Sequence, residues 1–469
     1  MSSPTHDIQP AVESDGLDEK PTAVDSHSLE KQSTDDASDR LSDKVADNKK
    51  KNGGLGPVAL IFACGTALFS DGYVNANSGP TNTIIKMIYK DQVSAADLDH
   101  FSSLYSSLTF AGTLLGMLVF GVLSDRIGRK FGMIFASLWL ALFSVLISGS
   151  WGAGGSISGL FTALQAYRFL IGIAIGAEYP AGSVACSENT EGAGVNPKRQ
   201  QMYFVLATNT MIDIGFVAAT LVAFILFNIF GYNQLVWVWR LTLGLGAIPP
   251  LAVLFFRIKM QETEHFRKGA IKRRLPWWLI VKKYWHRLTA VSIAWFIYDY
   301  ISYPASIYSS YFVGEIVPDG DLFKSLGWSV LINAFYIPGT FAGAFVCDKI
   351  GPKNTMMVGL VLQAVFGFAL AGAFGSLRNN LPGLIILYGF YTCAGEFGAG
   401  NNLGLLASKA VAPSAVRGTF YGIAAGIGKV GAFTGSYLYT TIQNDVVDQS
   451  LIAAGGKPSD QLIYYTAPF

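Results

Sequence analysis

From Pro57 onward the chain alternates apolar stretches of about twenty residues with short polar loops, the length an α-helix needs to cross a bilayer core. The first stretch runs from about Pro57 to Asn77. Others follow at roughly 100–122, 131–149, 161–184, 202–229, 234–256, 288–312, 326–347, 354–375, 382–406 and 416–440. The pattern predicts an all-α polytopic membrane protein with eleven spans. Residues 1–54 break it: rich in Ser, Asp, Glu and Lys and nearly free of aromatics, they read as a disordered tail. The tail holds no signal-peptide core, so the first span must serve as the insertion signal.

Composition agrees with this picture. Hydrophobic residues make up 51%, charged residues 14%, and mean hydropathy is +0.38, which together exclude an ordinary water-soluble enzyme. A net charge of +2 offers nothing for a nucleic-acid partner, and its distribution carries more information than its sum. Lys49, Lys50 and Lys51 precede the first span, Arg126, Arg129 and Lys130 follow the second, and ten Lys and Arg residues lie between Arg257 and Arg287. Basic residues stay on the cytosolic side, so the amino terminus is expected to be cytosolic. The four cysteines fall in or beside apolar spans and read as small packing residues, with no disulfide framework and no metal or cofactor implied. No histidine is placed to relay protons across the core; if protons move, carboxylates must carry them.

An internal repeat divides the chain. Gly121-Val-Leu-Ser-Asp125-Arg126-Ile-Gly128-Arg129-Lys130 recurs in weaker form as Gly343-Ala-Phe-Val-Cys-Asp348-Lys-Ile-Gly351-Pro-Lys353, each copy following the second span of its half. Two pseudo-symmetric bundles are expected: an N-terminal six-helix bundle over 55–257 and a C-terminal bundle over 288–469, joined by a basic cytosolic linker over 258–287.

Two charges stand out inside the spans. Asp299 is near the middle of the seventh and Lys429 near the middle of the eleventh. A lone charge at that depth costs roughly 2.5–3.5 kcal/mol, so such residues usually face a polar cavity and act there. Trp295, Asp299 and Tyr303 recur every fourth residue and share one helix face. Lys429 is surrounded by Gly422, Gly426, Gly428, Gly431 and Gly435, a close-packing surface. Arg168 and Tyr179 share a face of the fourth span, with Glu178 to the side; Asp71 lies in the first span, Asn209 and Asp213 in the fifth, and Glu396, Asn401 and Asn402 in the tenth, where Gly398-Ala-Gly400 invites a break. For these polar residues taken singly, a helix–helix hydrogen bond and a ligand contact are equally good readings.

The loop G-x-L-S-D-R-x-G-R-K resembles the hallmark of the major facilitator superfamily, which implies a fold of two pseudo-symmetric six-helix halves. Against that template the twelfth helix is missing: Asn444 to Asp460 is polar, and Leu462–Phe469 falls where the helix would begin. The string W-x-x-x-D-x-x-x-Y at Trp295, Asp299 and Tyr303, G-K-x-G-A at Lys429, and R-F-x-x-G-x-x-x-G-x-[DE]-Y-P from Arg168 to Pro180 resemble the phosphate:proton symporter branch. The resemblance implies phosphate contacts for Lys429, Trp295, Tyr179, Tyr303, Asn401 and Asp299. It also implies proton coupling through Asp71 and Asp299 with Arg168 and Glu178, and a conformational loop at Gly121, Asp125, Arg126, Gly128, Arg129, Lys130 and Asp348.

Two departures separate the chain from inorganic phosphate carriers. Val74 replaces the second aspartate of D-x-x-D in the first helix, and an apolar residue near Ile212 replaces a glutamine. Ser70-Asp-Gly-Tyr-Val-Asn75, Gly176-Ala-Glu-Tyr-Pro180 and Val416-Arg-Gly-Thr-Phe-Tyr-Gly422 are similar to the fungal glycerophosphodiester permeases. The expectation is a monomeric plasma-membrane carrier that is not an enzyme and that imports glycerophosphoinositol or glycerophosphocholine with protons. Inorganic phosphate import, a sugar porter and a non-transporting nutrient receptor are the alternatives.

Overall fold

The computed structural model describes residues 56–446 apart from 193, 264–265, 268–275, 308–320 and 378–379, together with positions 43 and 46. The rest of the tail over 1–54 and the stretch after Val446, including the expected place of a twelfth helix, lie outside the described residues. The described helices belong to one compact unit, Val45–Phe469.

Eleven long helical segments follow one another among the described residues: α1 (Pro57–Tyr89), α2 (Ala95–Arg126), α3 (Arg129–Ser148), α4 (Ile157–Thr190), α5 (Pro197–Phe230), α6 (Tyr232–Lys259), α7 (Trp277–Ile307), α8 (Leu322–Ile350), α9 (Pro352–Leu377), α10 (381–409) and α11 (Arg417–Val446). Eight of them are long and apolar enough to cross a membrane on composition alone. The other three, α7, α10 and α11, have their apolar runs diluted by the buried polar residues that make them interesting.

The expected spans match these helices with extended ends. The largest changes are at α1, which runs to Tyr89, twelve residues past the expected Asn77, and at α7, whose helix starts at Trp277, eleven residues before the expected 288, so the end of the linker is helical. Arg257 needs a correction as well. Counted among the basic loop charges, it is 0% exposed at the end of α6.

The repeat is visible in packing. The strongest contacts between halves are α2 with α11 and α5 with α8, pairs that exchange under a six-helix shift. Contacts of α1 with α5 and of α7 with α11 obey the same shift. Gly128 and Gly351, the glycines of the two loop copies, both have positive φ, 135° and 84°, which a side chain would strain. The expected close surface on α11 is present: a Cβ on Gly431 would collide with the Phe296 carbonyl oxygen of α7.

Outward faces invert the pattern of a soluble protein. Leu138, Leu142 and Val145 on α3, and Val361, Val365 and Phe368 on α9, the matching helix of the second half, are exposed large hydrophobics. Such faces suit lipid, where helices satisfy their own backbone hydrogen bonds.

Two helices carry π turns, Tyr179–Ser183 in α4 and Glu396–Gly400 in α10. The break expected around Gly398 is therefore a widened turn in a helix that continues. Its physical reason is that each backbone N–H still finds a carbonyl, one residue farther back.

Candidate functional site

A central, partly open cavity lies between the helices. All six residues expected to hold substrate line it: Lys429, Asp299, Trp295, Tyr303, Tyr179 and Asn401. The regular four-residue spacing on α7 turns Trp295, Asp299 and Tyr303 toward α11, and the glycines of α11 let the two backbones meet closely enough for Lys429 to reach them.

Lys429 is 2% exposed. Its Nζ lies 3.1 Å from Asp299 Oδ2 and 2.5 Å from the Tyr303 hydroxyl. The ammonium also sits 4.0 Å from the Tyr303 ring centroid and 5.2 Å from that of Tyr179. Trp295 packs edge-on against Tyr421, ring centroids 5.7 Å apart. The arrangement offers one cation, hydroxyl donors and an indole around a space, with a carboxylate that competes for the cation.

Asp71 stands one layer behind the wall. It accepts a hydrogen bond from the Tyr179 hydroxyl and another at 2.6 Å from Asn75 Nδ2, and it is 1% exposed. Tyr179 thus touches Lys429 with its ring and Asp71 with its hydroxyl. Asp71 and Glu178 also line a second, much smaller pocket together with Ser70 and Ser137.

Arg168 is not brought to Asp71. Its guanidinium donates to the Val74 carbonyl at 2.9 Å, to Asn77 Oδ1 at 3.2 Å and to the Tyr105 carbonyl at 3.4 Å, and lies 4.8 Å from the Tyr105 ring centroid. It stabilises α1 at the junction of two helical pieces, Leu68–Ala76 and Ser78–Tyr89. Glu178 faces away from the central cavity and pairs with Arg257, whose Nη1 is 2.6 Å from Glu178 Oε2.

The loop residues form a crossed pair of helix caps. Asp125 accepts from the Gly418 N–H at 2.9 Å, the Thr419 N–H at 2.6 Å and the Thr419 hydroxyl at 2.7 Å, all at the start of α11. Arg129 Nη1 holds Asp125 at 2.9 Å while Nη2 reaches Glu188 at 3.1 Å. In the second copy Asp348 accepts from the N–H groups of Gln201 and Met202, at 3.2 and 3.3 Å, near the start of α5. Each aspartate places negative charge at the positive end of a helix in the other half. Gly121 lies where a Cβ would be 2.9 Å from the Gly418 carbonyl oxygen, Lys130 Nζ donates to the Ile258 carbonyl at 2.7 Å, and Arg126 is exposed. Past the end of α6, Glu262 accepts from the N–H groups of Arg129 and Lys130 at 3.0 Å each. Burial raises its carboxyl above the usual range against those two bonds.

Several cavity residues escaped sequence reasoning. Tyr298, Tyr336 and Tyr421 line the space but are hidden among 21 tyrosines. Asn209, Asp213 and Glu396 were visible as polar residues in apolar spans, and all three line the cavity.

A polytopic helical bundle with crossed halves and a charged central cavity defines a membrane transporter. The chain belongs to the Major Facilitator Superfamily, whose model matches residues 55–436. It is 44% identical over 388 residues to the major glycerophosphoinositol permease GIT3 of Candida albicans, covering 82% of this chain and 71% of that one. The glycerophosphocholine permease GIT4 of the same organism is also 44% identical, over 81% of this chain and 71% of its own length. Among solved structures, the proton:xylose symporter XylE of E. coli superposes with a TM-score of 0.68 over 90% of this chain and 94% of that chain, at 16% identity, a likeness of fold alone.

Proposed function

We propose that this chain imports glycerophosphodiesters with protons across the plasma membrane, working as a monomer with a cytosolic amino terminus. The observation that carries the reading is Lys429, held 3.1 Å from Asp299 in a central cavity, in a chain 44% identical to fungal phosphodiester permeases. Lys429 supplies the point charge for the phosphate oxygens; Trp295, Tyr303 and Asn401 supply oriented donors, while Tyr179 lends its ring to the ammonium and its hydroxyl to Asp71. With the cavity empty of substrate, Asp299 neutralises Lys429. A phosphodiester competes for the same ammonium, and protonating Asp299 removes its rival, so anion and proton binding favour each other. Asp71, joined to Tyr179, is the second proton carrier; Glu178, held by Arg257, is structural.

Energetics require the coupling. Moving one negative charge into a cell at about 100 mV, negative inside, costs roughly 2.3 kcal/mol. One proton per monoanion cancels that cost, and a second makes uptake electrogenic.

The test is radiolabelled diester uptake by Lys429→Ala in reconstituted vesicles. The expected result is uptake at background with the protein folded and inserted. Uptake at the unaltered rate sinks the phosphate site.

A further inference from the structure

Four charged side chains line the central cavity: Asp213, Asp299, Glu396 and Lys429. Lys429 is taken by Asp299. Asp213, 1% exposed, and Glu396, 6% exposed, have no cationic partner within ion-pair distance among the described residues. What they have is neutral. The Tyr298 hydroxyl donates to Glu396 Oε1 at 2.8 Å, and Asn209 Nδ2 donates to Glu396 Oε2 at 2.7 Å and to Asp213 Oδ2 at a long 3.4 Å. Two buried carboxylates sharing one amide are an expensive arrangement unless something positive visits them.

The geometry separates this region from the lysine. Asp299 and Tyr298 are adjacent on α7, so their directions diverge by about 100°. One faces Lys429 and the other Glu396. Around the carboxylates stand aromatic faces: Tyr298, Tyr336 and Phe216 all line the cavity, and the Phe216 and Tyr336 rings meet at 5.6 Å between centroids. Rings and carboxylates together are the surroundings that attract an alkylammonium group, by ring quadrupole and by charge.

We propose that Asp213 and Glu396, walled by Tyr298, Tyr336 and Phe216, form a second, cation-accepting subsite, and that the carrier selects phosphodiesters whose alcohol bears a quaternary ammonium, as in choline. The inference rests on the transport reading and deepens it. The zwitterion places its phosphate on Lys429 and its ammonium on the carboxylates, so each buried charge acquires a partner. Inorganic phosphate has nothing to offer the second subsite and meets two extra negative charges. A diester of a neutral polyol leaves both carboxylates without a counter-ion.

The experiment uses the full chain in vesicles, with glycerophosphocholine, glycerophosphoinositol and the glycerophosphodiester of 3,3-dimethylbutanol, the uncharged carbon isostere of choline. On the unaltered protein, the isostere should compete at least about tenfold more weakly than glycerophosphocholine, the factor a desolvated cation contact supplies. Equal competition overturns the proposal without any substitution. In Asp213→Asn and Glu396→Gln, the ratio of glycerophosphocholine to glycerophosphoinositol uptake should fall by a similar factor, and an unchanged ratio overturns it. Transport of glycerophosphoinositol but not glycerophosphocholine by the unaltered protein leaves the transport reading standing and removes the ammonium subsite. Transport of neither removes both.

Discussion

Two of the buried ion pairs in this molecule invite comparison, Lys429 with Asp299 and Arg257 with Glu178. They do different things because of what surrounds them. Arg257 spends its donors on protein: besides Glu178 it reaches the carbonyls of Met133 at 2.8 Å and Cys64 at 3.1 Å, and Ser137 Oγ at 3.1 Å. That pair bolts α6 to α4, α3 and α1. Lys429 has a carboxylate, a phenol and two ring faces, and beside them a cavity. Closed in by protein acceptors, a buried pair is structure; left with room and a replaceable partner, it is a site.

The comparison can be broken at the Arg257–Glu178 pair first, where the effect is largest. Arg257→Ala leaves Glu178 buried without its cation and should destabilise the fold by about 3–5 kcal/mol, seen as loss of a cooperative melt in detergent. Lys429→Ala should melt close to the unaltered protein, because Asp299 can be hydrated or protonated in its cavity. If the two variants melt alike, the distinction between bolt and site is wrong.

A smaller effect sharpens the site itself. Asp299→Asn keeps the shape and removes one of the two proposed proton carriers, so any remaining uptake should depend much less on external pH. A retained pH profile in vesicles would assign the coupled proton elsewhere. Smaller again, Tyr179→Phe keeps the ring beside Lys429 and deletes the donor to Asp71. Leaving that carboxylate with one hydrogen bond fewer should slow coupled uptake by about tenfold, the cost of one buried unsatisfied group. Uptake at the unaltered rate would separate Asp71 from the transport cycle.

How much of this was legible depended on whether the signal was local. Asp299 and Lys429 announce themselves as charges in apolar runs, and the four-residue spacing of Trp295, Asp299 and Tyr303 fixes a shared face through helix periodicity alone. The loop copies at Gly128 and Gly351 could be read because turn chemistry is local too. Pairing was not legible. Arg257 and Glu178 are 79 residues apart, and nothing in either neighbourhood names the other. Arg257 looked like one more basic loop residue because it sits at the end of an apolar run. Arg168 shares a helix face with Tyr179, yet helix phase does not tell which turn of α1 its guanidinium meets. Asp213 and Glu396 were visible as residues but not as neighbours, since their common donor, Asn209, bridges α5 and α10 across the two halves.

The π turns have a consequence for how such carriers diversify. Each is one residue surplus to regular winding, placed in α4 and in α10, matching helices of the two halves. Trimming one residue from Glu396–Gly400 would restore an ordinary α turn and leave everything beyond it close to its present phase, because the wide turn absorbs the extra residue. One residue trimmed from the regular turns before it has no such slack, and would swing Asn401 out of the cavity through about 100°. Ligand choice in this chain is therefore written in phase as well as in identity, and a single-codon deletion can re-aim a wall that point substitutions only repaint.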